Sequence, residues 1–345
     1  MTSLNYDNQN VIYGGKGPGF SYFRSITNQK MEYSQPVITC KTFVVTPSAD
    51  LKTVVVTTSM SAVNALGTFP HTITYTIYAN GVIDVNANIT NNGATGTLPR
   101  VGLQLVLPAG LENVAWYGRG PQENYIDRNK SSFIGKYFNT VTGLTEHYIR
   151  PQSNGNHEDI RWVQLTDATK RGLKFTSKGN LNFIAQHYTD AQQWTTTHDF
   201  DLGALKRPET YLSLDYLQQG LGNASCGPDQ LLKYKVPGAT TFNYGFRIER
   251  TNDESTGVPV LQNENSDFKV CPTPTVGKLH ISFNNLSIMD GEMTIFGING
   301  SVVGKKILNA GYSSFDYELK NTVNGIYTYE MKYNGKKYRG KFRKM

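Results

Sequence analysis

The residues of this chain that could do chemistry are most concentrated between Trp116 and Arg128, in the stretch WYGRGPQENYIDR. Its glycines let the backbone turn sharply, so aromatic and charged side chains crowd one corner. Two interpretations of this corner stand. It is structural, with Glu123 paired to Arg119 or to Arg128, or it forms the rim of a sugar pocket or a contact surface for another domain.

Three histidines, and the run His157-Glu158-Asp159, contain further side chains that could take part in catalysis or bind a metal. A mutarotase needs a His or Glu poised at the sugar ring, and His147, His157 and His187 could supply it. Histidines that only complete hydrogen bonds are the simpler interpretation. The run His157-Glu158-Asp159 offers three metal ligands, but consecutive strand residues point to alternate faces and do not converge. We therefore expect no metal and no cofactor in this chain.

The elements that must position these side chains are strands. The chain has 33 Gly, 21 Tyr and 16 Phe, a composition that favours twisted strands joined by tight turns. Apolar residues alternate with polar ones from Ile73 to Ile77 and from Ile83 to Ile89, with Asn80-Gly81 between the two runs. Because both residues tolerate positive φ, this dipeptide predicts a hairpin with a two-residue type I′ turn. Further strands are predicted at Thr53–Thr58 and Val101–Leu107.

Periodicity also divides the chain. The stretch TNDESTGVPVLQNENSD loses the strand pattern and fills with Thr, Asn, Asp, Glu and Ser, which is typical of an exposed linker. We therefore predict an all-β domain at residues 1–250, a linker at 251–269 and a small β-sandwich at 270–345. Strands of the sandwich are predicted at Leu279–Phe283, Met293–Ile298, Phe315–Leu319, Ile326–Tyr333 and, after an Asn-Gly turn, Lys336–Phe342.

Charge and composition exclude several classes of function. The net charge of +7 is concentrated at the end of the chain, since from Lys332 onward there are basic residues and no acidic ones. No nucleic-acid motif accompanies this basic run, so we expect no nucleic-acid partner. No apolar run approaches the roughly 20 residues of a membrane span, and none is expected. The first residues lack a signal-peptide pattern, so we expect a truncated start or a cytoplasmic one.

The corner closely resembles the signature of the C-terminal, small-chain region of family 2 glycoside hydrolases of the β-galactosidase type. The resemblance continues at Tyr148–Asn156, which is similar to that family's Tyr-x-x-Pro-x-x-Asn-Gly segment, and at Leu214–Pro228. Arg24 with Asn28 resembles an early Arg/Asn-Asp element of the family. Together these matches extend over roughly residues 4 to 250.

This resemblance implies a galactose-mutarotase-like supersandwich packed against a catalytic barrel. It also implies that the loop at 220–228 reaches toward the mouth of the active site, where some family members place a Trp that stacks on the sugar. Cys226 stands at that position here, and the odd set Cys40, Cys226 and Cys271 is expected to be free thiols. The candidate substrate-contacting residues implied by the resemblance are Arg24, Asn28, Arg119, Glu123, Asn154 and Cys226.

The same resemblance argues against chemistry in this chain. A retaining glycosidase needs two carboxyl groups about 5 to 5.5 Å apart. Glu123, Asp127, Glu158 and Asp159 lie in the two matched loops. The family, however, takes its acid and its nucleophile from the barrel, which this chain lacks. We therefore expect no catalytic residue here.

The end of the chain carries a second resemblance. The stretch VCPTPT at Val270–Thr275, the run Asn324-Gly325-Ile326-Tyr327 and the basic last strand resemble a type A sorting domain of the type IX secretion system. The expected Pro-Asn-Pro reads Pro-Thr-Pro here. Such a domain implies a secreted or cell-surface protein. The alternative is a second carbohydrate-binding or immunoglobulin-like sandwich.

Two functions are therefore predicted as alternatives. In the first, the chain is the non-catalytic C-terminal part of a secreted β-galactosidase, supporting the barrel and shaping the pocket rim. Its partners are then a galactoside, the catalytic barrel domain or large subunit, and the type IX secretion machinery. In the second, it is a stand-alone carbohydrate-binding module or a complementing small subunit that binds a galactoside or another glycan.

Overall fold

The computed structural model describes residues 1–6, 8–26, 36–64, 67–92, 97–222, 229–251, 268–271, 275–283, 286, 288–320 and 322–344. The chain divides into two compact units, Met1–Glu254 and Ser255–Met345. Each unit has its own buried apolar cluster. The described residues are mainly antiparallel strands, which confirms the predicted all-β fold class.

The first unit is built from strands and a few short helices. Its described helices are α1 (Asp190–Thr195), α2 (Asp199–Leu202) and 3-10 turns at Tyr13–Gly15, Thr142–Leu144, Gly203–Leu205 and Leu232–Tyr234. Its described strands are β1 (Asn5–Tyr6), β2 (Gln9–Asn10), β3 (Gly19–Ser21), β4 (Val37–Pro47), β5 (Thr53–Asn64), β6 (Gly67–Tyr78), β7 (Ile83–Thr90), β8 (Thr97–Leu98), β9 (Arg100–Leu107), β10 (Asn113–Gly120), β11 (Phe133–Thr140), β12 (Trp162–Thr166), β13 (Gly172–Ser177), β14 (Asn182–Gln186), β15 (Thr210–Gln218), β16 (Val236–Pro237) and β17 (Thr241–Thr251).

Two large sheets enclose the core of this unit. One has nine strands in the order β11-β10-β12-β13-β17-β7-β6-β5-β4, and the other has four in the order β14-β15-β9-β3. Phe69, Phe175 and Phe246 of the large sheet share one buried cluster with Leu103 and Leu214 of the small sheet. Alternation at period two sends these side chains inward and their polar neighbours outward. The predicted supersandwich is confirmed.

The hairpin of β6 and β7 is confirmed, but its turn differs from the prediction. Tyr78 N–H donates to the Val82 carbonyl and Gly81 N–H to the Tyr78 carbonyl, both at 2.9 Å. Gly81 has φ 82°, whereas Asn80 is not among the residues with positive φ. The loop is therefore a type I turn followed by a left-handed glycine, not a two-residue type I′ turn. The Asn80 side chain explains the difference, because its oxygen accepts the Val82 N–H at 3.2 Å and closes the longer loop.

The second unit is a small sandwich of two sheets. Its strands are β18 (Phe268–Cys271), β19 (Lys278–Phe283), β20 (Gly291–Phe296), β21 (Val302–Leu308), β22 (Ser314–Glu318), β23 (Gly325–Tyr333) and β24 (Lys336–Lys344). They form the sheets β18-β19-β22 and β21-β20-β23-β24. Phe268, Met293, Ile295, Tyr329 and Phe342 fill the core between them. This is the sandwich that the sequence predicts.

The boundary between the units bears on the predicted linker at 251–269. Residues 252–267 lie outside the described residues. At the two ends of that segment the backbone is strand, since Thr251 ends β17 and Phe268 begins β18. The Phe268 side chain is buried, because it belongs to the core of the sandwich.

Candidate functional site

Glu123 lies buried at the centre of the corner, which we define as residues 116–128 and call the signature corner. Its carboxylate accepts hydrogen bonds from Arg128 Nη2 and from the Tyr148 hydroxyl. Its second oxygen accepts the Tyr125 hydroxyl at 3.2 Å and the Gly155 N–H at 2.8 Å. Four donors therefore surround one buried carboxylate, which is how a buried charge is stabilised.

Arg119 takes a different partner. Its Nε donates to the Asp159 carboxylate, and its Nη1 donates to the Ser132 carbonyl at 2.9 Å. Its backbone N–H donates to the Glu158 carbonyl at 3.0 Å. Of the two pairings that the sequence allowed for Glu123, the structure shows the one with Arg128. Arg119 fastens the other side of the corner to the loop that contains Asp159.

Asn124 and Asn156 join the two matched loops. The Asn124 N–H donates to the Asn156 carbonyl, and the Asn156 side-chain amide donates to the Asn124 carbonyl, both at 2.8 Å. The Asn124 side-chain oxygen also accepts the Glu158 N–H at 2.9 Å. Buried backbone groups need such partners, so these bonds fix the relative position of the loops.

Asn154 is buried and binds other protein groups. Its side-chain oxygen accepts the Gln186 side chain at 2.7 Å and the Glu146 N–H at 3.0 Å. Gln186 in turn accepts the Gln193 side chain at 2.6 Å. With 1% of its surface exposed, Asn154 has no face for a ligand in this structure. It positions the second loop.

Arg24 is fully buried beside the corner. Its Nη1 donates to the Gln219 carbonyl at 2.7 Å, and its guanidinium carbon lies 5.0 Å from the centre of the Tyr125 ring. Its Nε and Nη2 have no hydrogen-bond partner among the described residues. Burial lowers the pKa of Arg24. Arg24 thus binds the loop that begins at Gln219.

Asp127 holds the same loop from the other end. Its two carboxylate oxygens accept the Leu221 N–H at 3.0 Å and the Gly222 N–H at 2.7 Å. A Cβ at Gly220 would lie 2.4 Å from this carboxyl group, so only glycine allows the close approach. Arg24 and Asp127 together fix Gln219–Gly222. Residues 223–228, with Cys226, and Asn28 lie outside the described residues.

Glu158 completes the set of carboxylates in the two loops. It is buried, and its side chain accepts the Asn129 amide at 2.9 Å. Burial raises the pKa of Glu158 to about 6. Each of the four candidate carboxylates thus has a bonding partner within the described residues. The arrangement can orient loops and hold a raised pKa, but it presents no pair of unengaged carboxylates in the described part of the corner.

The buried histidines bind protein groups as well. His157 approaches the carbonyls of Gly155 at 3.0 Å and Pro121 at 3.2 Å, and burial lowers the pKa of His157. His187 Nε2 lies 2.7 Å from the Glu112 carboxylate. No cluster of three potential metal ligands occurs in the part of the chain that the structure describes.

Comparison with models of known protein families shows which family the chain resembles. The family model described as "Beta galactosidase small chain" matches residues 1–248. The chain belongs to the β-galactosidase small-chain family. A second model, described as a secretion system C-terminal sorting domain, matches residues 269–344 of this small-chain protein. No helix in the described residues is both long and apolar enough to span a bilayer.

Individual relatives of the small-chain unit are β-galactosidases. That of Staphylococcus xylosus is 34% identical over 165 residues, which are 48% of this chain and 16% of that protein. That of Lactobacillus delbrueckii subsp. bulgaricus is 40% identical over 132 residues, 38% of this chain and 13% of that protein. The chain therefore spans about a sixth or less of these relatives. A solved GalM/aldose epimerase homologue from C. elegans shares 9% identity, covers 73% of this chain and 78% of that chain, and has a TM-score of 0.32.

The small-chain signature accounts for most of the candidate site, and two features were missed. The structure brings Arg24, Glu123 and Asn154 into one connected region and places Arg119 on its other side. Asp127 was expected only as a possible acid, although its position just before Arg128 in the signature marked the residue. The Gln186–Gln193 pair carried no sequence signal, because the bond joins a strand to a short helix.

Proposed function

We propose that this chain is the non-catalytic C-terminal part of a secreted β-galactosidase. The acid and the nucleophile that hydrolyse terminal β-galactosides then lie on a barrel outside this chain. The observation that carries the proposal is the family match over residues 1–248, since that family is the small chain of β-galactosidase. The bonded carboxylates around Glu123 support the non-catalytic part of the proposal.

Within such an enzyme, the role of the signature corner is to hold the loop that starts at Gln219. Asp127 binds two successive amides of this loop and Arg24 binds its first carbonyl. The loop continues toward Cys226. We propose Asn28 and Cys226 as contacts of the galactoside at the pocket rim, and Arg24, Arg119, Glu123 and Asn154 as residues that act by positioning.

Strand β4 offers a surface for the catalytic part. It is an edge strand of the nine-stranded sheet, and each of its residues is exposed. Val37 is 71% exposed and Phe43 is 65% exposed. Exposed apolar edge strands are rarely left uncovered in soluble proteins. We propose that the barrel-containing part of the enzyme covers this edge.

We propose that the second unit directs the enzyme to the type IX secretion system. That system would then export the enzyme to the cell surface or to the medium. The match to a sorting domain over residues 269–344 supports this assignment. It is tested with the full chain and a chain that ends at Glu254, each with the same export signal, in a host with that system. The full chain should reach the surface and the shortened chain should stay in the periplasm. Retention of both would contradict the type IX proposal.

Activity on a chromogenic β-galactoside tests the main proposal. The purified chain alone should show none. Mixed with Staphylococcus xylosus β-galactosidase truncated before its small-chain region, it should restore hydrolysis. An Asp127→Ala chain should restore less, whereas Asp167→Ala, which disturbs a different turn, should match the natural chain. Hydrolysis by the chain alone would contradict the proposal, and galactoside binding without restoration would favour a stand-alone binding module.

A further inference from the structure

The sheet β21-β20-β23-β24 of the second unit has a charged outer face. Alternate residues of these strands are buried, and the residues between them point outward. Register pairs the outward residues across the sheet, for example Glu330 with Arg339 and Thr328 with Lys341. The ionisable residues of this face, which we call the basic face, are Lys305, Lys332, Lys337, Arg339, Lys341 and Arg343 against Glu292 and Glu330.

The acidic residues of the basic face do not balance its cations. Glu330 binds Lys337 at 2.7 Å and Arg339 at 3.1 Å. Glu292 binds Lys305 at 2.7 Å. Lys341 and Arg343 take part in none of the ion pairs of the described residues, and Lys332 lies opposite Glu292, which already binds Lys305. Exposed charges of one sign in this excess attract an oppositely charged partner.

The outer backbone edge of β24 has no strand partner among the described residues, apart from a bridge between Thr275 and Lys344. β24 is the last strand of its sheet. The Arg343 carbonyl accepts the Thr275 N–H at 2.8 Å, so it points away from β23. In an antiparallel strand, alternate residues direct their N–H and C=O groups to the same side. Lys337, Arg339 and Lys341 therefore also point their backbone groups away from β23, where no described residue binds them.

Lys337, Arg339 and Lys341 thus provide both the outward-pointing backbone groups and the cationic side chains. Side chains two residues apart on a strand are about 6.8 Å apart. An extended segment with acidic residues at every second position has the same spacing. Added beside β24, it would bond to the open N–H and C=O groups and set each carboxylate opposite a cation. A lipid surface offers anionic charge but no strand to pair with this edge.

We propose that β24 binds an extended acidic protein segment as an added strand, with carboxylates opposite Lys337, Arg339 and Lys341. That the segment belongs to the secretion machinery rests on the proposed sorting function. The binding itself does not, so a chain that binds the segment but is not sorted would contradict only the proposed function.

The binding is tested with two fluorescent peptides of identical composition on the full chain. One alternates, Glu-Thr-Glu-Thr-Glu-Thr-Glu, and the other is blocked, with four Glu followed by three Thr. The alternating peptide should bind roughly tenfold more tightly, because its acids match the strand register. Two further versions of the alternating peptide carry methyl groups on backbone nitrogens, one version on the Glu residues and the other on the Thr residues. One version should lose binding and the other should keep it.

Charge variants locate the site. The variant Lys337→Glu, Arg339→Glu, Lys341→Glu should lose at least about tenfold in affinity for the alternating peptide. The matched control Lys52→Glu, Lys130→Glu, Lys233→Glu makes the same change in net charge on exposed residues elsewhere and should bind like the natural chain. A milder Lys341→Gln variant, with near- and far-ultraviolet circular dichroism, separates lost binding from lost folding.

Three results would overturn the proposal. Equal binding of the alternating and blocked peptides would mean that only net charge matters. Equal loss in the two triple variants would place the site elsewhere. Binding to phosphatidylglycerol vesicles that the β24 variant abolishes, without discrimination between the peptides, would assign the basic face to anionic lipid.

Discussion

The signature corner and strand β24 use charge in opposite ways. In the corner, the buried Glu123 has four hydrogen-bond donors, and Asp127 binds two loop amides. On β24, Lys341 and Arg343 are exposed and form no ion pair with any described residue. The corner satisfies its own charges, whereas β24 pairs Lys337 and Arg339 with a single acid, Glu330, and leaves Lys341 and Arg343 without an ion pair among the described residues.

This difference bears on how charged residues are interpreted. A buried and fully bonded carboxylate is evidence of positioning, because its bonds hold the fold and leave no lone pair for a substrate. An exposed surplus of one sign contributes little to stability and is evidence of recognition. Substitutions in the corner should therefore affect stability, and those on β24 should affect binding.

The largest expected effect comes from Glu123→Ala. It leaves the Tyr125 and Tyr148 hydroxyls and the Gly155 N–H without their common acceptor, whereas water can solvate the half-exposed Arg128. Each unsatisfied buried polar group costs about 1 to 3 kcal/mol, so we expect a total loss of about 3 kcal/mol. Urea unfolding monitored by tryptophan fluorescence measures the change. Because Trp116, Trp162 and Trp194 all lie in the first unit, this signal reports that unit alone.

The control for Glu123→Ala is Asp201→Ala. Asp201 has a side chain that is 54% exposed, and its removal should change the unfolding free energy by less than about 0.5 kcal/mol. If the two variants were equally stable, the bonds around Glu123 would not be holding the corner.

A smaller effect, dependent on pH, is expected from Glu158→Gln. Burial raises the pKa of Glu158 from its ordinary 4.5 to about 6, so the protonated form is favoured in the folded state. The stability this contributes is complete below pH 4.5 and is lost as pH rises through 6. The glutamine variant should match the natural chain at pH 4 and exceed its unfolding free energy by about 2 kcal/mol at pH 7.5.

The measurement is the difference in unfolding free energy between the Glu158→Gln variant and the natural chain at each pH. Burial also raises the pKa of Asp215 to about 6, but that group is present in both proteins and cancels in the difference. A constant difference from pH 4 to 7.5 would contradict a raised pKa at Glu158.

The smallest expected effect is that of Tyr148→Phe. It removes one of the donors to Glu123 and keeps the ring, so a loss of about 1 kcal/mol is expected by the same fluorescence assay. Tyr13→Phe is the control, since that ring is 48% exposed, and it should be neutral. A Tyr148 effect as large as that of Glu123→Ala would mean that the hydroxyl, not the carboxylate, organises the corner.

Sequence patterns predicted the elements better than their turns. Period-two alternation predicted β6 and β7, because one buried face imposes it. The same dipeptide, however, closed two different loops. Asn334-Gly335 has φ 48° and 73°, as a type I′ turn requires, whereas at Asn80-Gly81 only the glycine is left-handed. Which turn forms depends on side-chain bonds such as that of Asn80, which the pattern does not contain.

For the site, the sequence predicted where the residues are but not what they hold. The resemblance singled out both the segment with Glu123 and the segment with Gly155, and the fold brings the two together. The choice between Arg119 and Arg128 could not be made, because both are near Glu123 in sequence and only the fold separates them. The role of Asp127 depends on amides about 95 residues away in the chain, a contact that no local spacing reveals.

The most direct test of the positioning account is amide hydrogen exchange at Leu221 and Gly222. Asp127→Ala removes the acceptor of both N–H groups, so their exchange should accelerate roughly 10- to 100-fold, as expected for losing about 1.4 to 2.7 kcal/mol of protection. Asp167→Ala, which frees the amides of Thr169 and Arg171 instead, should leave Leu221 and Gly222 unchanged. Unchanged exchange at Leu221 and Gly222 in the Asp127 variant would contradict the claim that the signature corner holds this loop.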